Sequence, residues 1–357
     1  MPSSDGIGEP WQLLGHGEWH PHGTAERVYN LVAFFVNLTN VFGNSFIFFM
    51  FAKDKSLWEP RTLLVLNLAF ADLSWGSAAM VTELINSIKG GFATGTLGCT
   101  VALHFASFGI ALSMQTFMWI SVDRWLAIVR ERPPNPWQIY SVIASTWVVA
   151  LMYTIWLIFA GRPAGGGLMS STHTYCEAAW MFPSLLMRSM AYFTQAAYFS
   201  FFLITTYCYT SIYMTFRESR RRLNGLNLMT AGTGAFTAKG VVGGSTENLQ
   251  SSSAKQSNLS NATSNVEKGI KKPQKLQDQE IQIIKKFVTL VSVFLVTWGM
   301  WVFGVVAYQS HTGRASPIWQ NGLGAMMAYM NSAVNPILLV GMDNRFTASA
   351  KRVVGWA

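Results

Sequence analysis

One uninterrupted stretch, Cys99 to Trp125, limits what this chain can become: CTVALHFASFGIALSMQTFMWISVDRW. Between Cys99 and Asp123 its only ionisable side chain is His104. At about 1.5 Å per residue, the run from Cys99 to Arg124 reaches roughly 37 Å as a helix. The hydrocarbon core of a bilayer is about 30 Å thick. One helix therefore sets a cysteine at one water boundary and an Asp-Arg-aromatic triplet at the other.

The rest of the chain repeats this length. Val28–Ala52, Trp137–Gly161, Ser189–Phe216, Phe287–Ser310 and Ala315–Met342 carry no charge. Thr62–Thr82 carries only Asp72, and Thr100–Val122 only His104. Each of the seven runs is long enough to span a bilayer. A soluble helical protein would show an apolar stripe backed by a polar face, which these runs lack. Only 12% of residues are charged, about half the usual share for a soluble domain. With the N-terminus outside, 21 of the 26 Lys and Arg fall on the cytoplasmic side. That is the positive-inside asymmetry, so the net charge of +9 reports topology rather than nucleic-acid binding. The first helix is expected to act as an uncleaved signal anchor, since residues 1–27 hold no secretory signal.

Short marks sit on these runs in a fixed order. They are Gly43-Asn44, Leu68-Ala69-Phe70-Ala71-Asp72, Cys99, Asp123-Arg124-Trp125 and Trp147. Tyr209, the pair Phe294 and Trp298, and Asn331-Ser332-Ala333-Val334-Asn335-Pro336 follow. Together they resemble the rhodopsin-like (class A) G-protein-coupled receptors over residues 28 to 354. The resemblance implies an all-α membrane protein, a seven-transmembrane helix bundle with a short amphipathic eighth helix. It divides the chain into an extracellular N-terminus (1–27), a receptor domain (28–342) and an eighth helix with a short tail (343–357). A long, largely disordered third cytoplasmic loop lies within 217–280, with Leu223–Gln274 poor in aromatics and rich in Ser, Thr, Gly and Asn.

The resemblance also assigns roles. Cys99 and Cys176 are expected to form a disulfide on the oxidising outer face, leaving Cys208 as a buried thiol. Asp72 is costly inside a membrane and would anchor a sodium ion with Ser113, Asn331, Ser332 and Asn335. The Asn44 amide is expected to meet backbone carbonyls and Asp72. Asp123, Arg124, Trp125, Tyr209, Glu280, Phe294, Trp298, Asn335 and Pro336 would form the activation switch. In it Arg124 pairs with Asp123 and Glu280 at rest. Arg217, Arg220, Lys285 and Lys286 would border the cleft for a heterotrimeric G protein. Arrestin, receptor kinases and membrane lipid are the further partners implied, at the plasma membrane; no enzyme activity is implied. Phe346 anchors the eighth helix, which is expected to lie along the membrane surface.

Three positions depart from the family pattern. Phe201 and Met300 stand where kink prolines are common, and Leu339 stands where a tyrosine closes the helix-7 motif. These losses keep open a receptor-shaped decoy or dimer partner that does not signal conventionally. A transporter or channel is less favoured, because it should carry serial intramembrane charges, and the seven runs hold one Asp and one His, on different helices. For the ligand pocket the resemblance indicates Glu83, His104, Ala106, Ser107, Ile110, Phe193, Thr194, Ala197, Trp298, Trp301, Ala325 and Tyr329. Ala106 replaces the aspartate of amine receptors. Tyr329 replaces the retinal lysine of opsins, and helix 7 contains no Lys, which excludes a covalent retinal. Glu83 and His104 are the ionisable groups expected at the rim. The ligand expected is small and neutral or weakly polar.

Overall fold

The computed structural model describes residues 24–89, 95–160, 167–170, 175–239, 288–289 and 291–356. Glu280, Lys285 and Lys286, with most of the long loop, lie outside the described residues, as do residues 1–23. The helices are α1 Thr24–Lys53, α2 Leu63–Lys89, α3 Gly95–Ile128, α4 Pro136–Ala160 and α5 Leu185–Lys239. They continue with α6 Val291–Thr312, α7 Ile318–Met342 and α8 Asn344–Val354. Two short strands, β1 Gly167–Met169 and β2 Cys176–Ala178, pair antiparallel between α4 and α5, with Leu168 opposite Glu177.

Among the described residues, α1, α2, α3, α4, α6 and α7 are long and apolar enough to cross a membrane. The seventh, α5, is less apolar because Tyr192, Thr194, Gln195, Tyr198, Thr205 and Thr206 punctuate it. Large side chains that a soluble protein would bury instead face outward, such as Phe42, Met152, Phe159 and Phe303. They are the solvent-facing side of a protein whose solvent is lipid.

Residues up to Cys208 and from Thr289 onward form one body, and Tyr209–Val288 forms a second unit. In the second unit the described part is chiefly the continuation of α5. It stays helical to Lys239 rather than ending before a disordered loop at Leu223. Leu223, Leu226, Leu228 and Met229 are good helix formers, and Arg222 donates to Glu218 one turn back at 2.6 Å.

In the main body, polar side chains hold the helices in register. Asn67 on α2 donates to Thr116 on α3 at 2.8 Å and accepts from Trp147 on α4 at 2.8 Å. α2 and α3 approach so closely at Gly109 that a Cβ there would lie 2.6 Å from the Ala71 carbonyl. Pro336 sits inside α7 beside Gly43 of α1, where a Cβ would come within 2.9 Å of the proline ring. α6 has no proline at Met300, yet it is not a plain α-helix: Val302–Ala307 forms a π-turn. Gln320 of α7 donates to the Gly304 carbonyl within that turn. The expected loss of irregularity at Met300 is thus offset a few residues on, by a device that needs no proline.

α8 begins at Asp343, whose carboxylate caps Arg345 at 2.9 Å. Its Phe346 is buried against Phe51, with ring centroids 6.1 Å apart. Arg345 bonds Glu59 at 2.9 Å, and Arg352 bonds Asp54, tying α8 to the α1–α2 connection.

Candidate functional site

Three regions of the main body stand out: two polar clusters and a cavity. At one end, α3 finishes in Asp123-Arg124-Trp125. Asp123 is buried, and both its oxygens accept from Arg61, at 2.8 Å from Nε and 2.7 Å from a terminal nitrogen. Arg124 Nε lies farther off, 3.8 Å from the same carboxylate. The expected Asp123–Arg124 pair is therefore the weaker contact, and Arg61 is the residue that sequence reasoning missed. A planar guanidinium matches two carboxylate oxygens at once, and the 3-10 turn Pro60–Thr62 delivers Arg61 to that position. Trp125 lacks the hydroxyl of a tyrosine but is not idle. Its ring lies beneath the Arg130 guanidinium, 5.0 Å from the centroid, and against Tyr207 at 5.9 Å.

The second region lies midway. Asp72 is 1% exposed and accepts from Ser113 at 3.3 Å, Ser332 at 3.0 Å and Asn335 at 2.7 Å. Four of the five residues assigned to an ion are thus joined directly. The fifth, Asn331, is buried with neither amide atom hydrogen-bonded. Asn44 does not reach the Asp72 carboxylate. It donates to Asn40 at 2.6 Å and to the Ser332 carbonyl at 3.3 Å, while Asn40 reaches the Asp72 backbone oxygen at 3.1 Å. Above this cluster Phe294 packs on Phe117 at 4.4 Å and on Trp298 at 6.4 Å. Trp298 continues to Trp301 at 6.0 Å. Leu339 is buried at the position where the family pattern has tyrosine.

The third region is a cavity of about 270 Å³ at the end that carries the disulfide. The Cys99–Cys176 bond, with Cα atoms 5.4 Å apart, pins β2 to the start of α3 and makes the hairpin part of the cavity wall. Cys208 is free and buried. Ala106, Ser107, Ile110, Phe193, Thr194, Ala197 and Trp301 line the cavity, and Phe201 lines it too. Glu83, His104, Trp298, Ala325 and Tyr329 do not. His104 spends its Nδ1 on the Thr100 carbonyl at 2.5 Å. Glu83 is no rim residue. It is 1% exposed, accepts from Asn37 at 2.9 Å and lies beside Tyr29 and Tyr329. Tyr329 packs against Trp75 with ring centroids 5.2 Å apart and the rings tilted by 35°.

The acid that does line the cavity is Glu177. It follows Cys176 in β2 and is 4% exposed. Gln309 donates to one of its oxygens at 3.0 Å and Asn321 to the other at 2.9 Å. Asn321 is itself bonded by the Tyr175 hydroxyl at 2.6 Å. Burial pushes the Glu177 carboxyl up to about 7, against the opposing pull of these donors. A loop glutamate gives no helical periodicity to read, so nothing but its place next to a disulfide cysteine could have flagged it.

Comparisons with known proteins bear on the family and the fold. The family model for the seven-transmembrane receptors of the rhodopsin family matches residues 43–339. Opsin Rh5 of Drosophila melanogaster is 32% identical over 44% of this chain and 43% of its own. A cholecystokinin receptor of Xenopus laevis is 30% identical over 33% of this chain and 27% of its own. The chain thus spans less than half the length of these curated relatives. The crystal structure of squid rhodopsin superposes with a TM-score of 0.73 at 18% identity, covering 97% of this chain and 89% of that one.

Proposed function

Since the chain belongs to the rhodopsin family of seven-transmembrane receptors, we propose that it is a ligand-operated receptor of the plasma membrane that activates a heterotrimeric G protein. The hairpin end faces outside and the Asp123 end faces the cytoplasm. A ligand in the cavity favours a state in which α6 moves outward, shifting an existing equilibrium. The observation that carries this reading is the placement of Asp123, Arg124 and Trp125 on one 34-residue helix whose other end holds the Cys99 disulfide. Arg124 is the residue proposed to meet the G protein, with Arg61 and Asp123 setting its availability. Arrestin and receptor kinases would follow as partners of the active state.

The test is basal G-protein activation in cells, across a panel of subtypes, with surface expression measured in parallel. Wild type should give a basal signal with one subtype, and Arg124→Ala should abolish it. Silence across the panel at normal surface level would favour the second reading, a receptor-shaped partner that does not signal. The specific observation behind that reading is Leu339, which is buried and has no hydroxyl to offer a switch.

The middle cluster fits a sodium ion. Asp72, Ser113 and Ser332 bring together oxygen atoms of the kind a hard cation prefers, Asn335 turns its amide nitrogen to Asp72, and Asn331 has buried amide atoms without partners. Bound there, sodium would neutralise a carboxylate that lipid penalises and hold α2, α3 and α7 in the resting state. Purified receptor should melt at a higher temperature in sodium chloride than in choline chloride at equal ionic strength. Asp72→Asn should erase that difference.

The residues do not fit the retinal of an opsin. A pigment of that type needs a lysine amine on α7 for its Schiff base. Here the position holds Tyr329, fully buried against Trp75, and no Lys occurs in Ile318–Met342.

A further inference from the structure

Glu177 presents a chemical problem that the receptor reading leaves unsolved. It is a buried carboxylate in the wall of a ligand-sized cavity, and among the described residues no Lys or Arg pairs with it. Its two amide donors, Gln309 and Asn321, are neutral. They orient both oxygens without cancelling the charge. A buried charge left unpaired is expensive; taking up a proton relieves that cost, and a cation bound beside Glu177 would relieve it too. The remaining walls suit one. Trp75, Tyr175, Trp180, Phe193 and Trp301 present aromatic rings to the same space, with Trp180 edge-on to Trp301 at 6.2 Å. Ring faces attract cations, and more strongly where water is excluded. At the α3 position where amine receptors carry an aspartate, this cavity is lined by Ala106, which has no charge.

We propose that this cavity binds a small organic cation, an ammonium or guanidinium, whose charge docks on Glu177 of the hairpin and whose body lies among the tryptophans. The proposal rests on the receptor reading and deepens it. It replaces the neutral ligand suggested by sequence, because Glu177 could not be placed from sequence. The anchor sits on the strand fixed by Cys99–Cys176, and it is linked by Gln309 to α6 and by Asn321 to α7. A cation bound there draws directly on the helix proposed to move.

The test uses full-length receptor purified in detergent, with melting followed by tryptophan fluorescence at pH 8. The probes are 2-phenylethylamine and benzyltrimethylammonium at millimolar concentration, with uncharged 2-phenylethanol as the isosteric control. Both cations should raise the melting temperature of wild type, and the alcohol should not. Glu177→Gln should weaken the apparent affinity for both cations by at least about tenfold, while Glu177→Asp keeps part of it. Equal shifts with the alcohol and the amine, no shift with either cation, or full retention of the cation shift in Glu177→Gln each overturn the proposal. If Glu177→Gln does not fold, the amine-against-alcohol contrast in wild type still decides. Binding is read here without a G protein. A failure therefore leaves the signalling reading to its own test with Arg124→Ala.

Discussion

Gly109→Ala should leave little folded receptor at the cell surface. Its new Cβ would lie 2.6 Å from the Ala71 carbonyl oxygen and 2.9 Å from the Trp75 backbone nitrogen. Both obstacles are backbone atoms of α2, so no rotamer change relieves them. The two helices must separate, and Asp72 and Trp75 on the same stretch of α2 move with them. Overpacking of this kind costs about 3 kcal/mol or more when the neighbours cannot yield. The matched control is Gly341→Ala near the end of α7, where an added Cβ meets nothing within 4 Å. That change should be neutral or stabilise by up to about 1 kcal/mol, the usual gain of alanine over glycine in a helix. Comparing surface expression and melting temperature of the two variants checks the claim. Equal behaviour would mean that the α2–α3 approach is not as close as described.

Arg61→Ala should lower basal signalling by about tenfold, a shift worth about 1.4 kcal/mol. The sign follows from competition. Asp123 is buried, and Arg61 takes both its oxygens while Arg124 stands 3.8 Å away. Removing Arg61 leaves the carboxylate to Arg124. A buried acid with one cation beside it holds that cation harder. Arg124 is then less available to a G protein. Arg61 is about a third exposed, so solvent screening keeps the effect well below that of a fully buried pair. Asp123→Asn should act in the opposite direction and raise the basal signal. An Arg61→Ala variant with unchanged or elevated signalling, at equal surface level, would show that Asp123 does not restrain Arg124.

What could be read from the sequence was whatever repeats at helical spacing or has a length set by lipid. The disulfide and the meeting of Asp72 with Ser113, Ser332 and Asn335 rest on the family resemblance, and the seven spans belong to that class. They depend on counting along single helices and on a shared depth in the membrane. Arg61 was counted as one more basic residue facing the cytoplasm, because its partner lies 62 residues away across a turn. Glu177 was overlooked because a short strand between two loops has no period to betray which way a side chain points. Glu83 was placed on a rim because its distance from Asp72 along α2 measures height but not facing. It turns toward α1 and Asn37 instead of the cavity. The helical extension to Lys239 was missed because composition reports hydration and says less about backbone geometry.

The π-turn at Val302–Ala307 gives α6 two phases. A π-turn accommodates one extra residue in almost the same rise, so every side chain beyond it is rotated by about 100° from where an unbroken α-helix would carry it. Trp298 lies before the turn and Gln309 after it, and Gln309 meets Glu177 in that rotated frame. Deleting a single residue from the turn would swing Gln309 a little over a quarter of a revolution away from Glu177 while Phe294 and Trp298 kept their aim. The half of α6 that carries Gln309 and the half that carries Phe294 and Trp298 can therefore be re-indexed against each other by chain length alone.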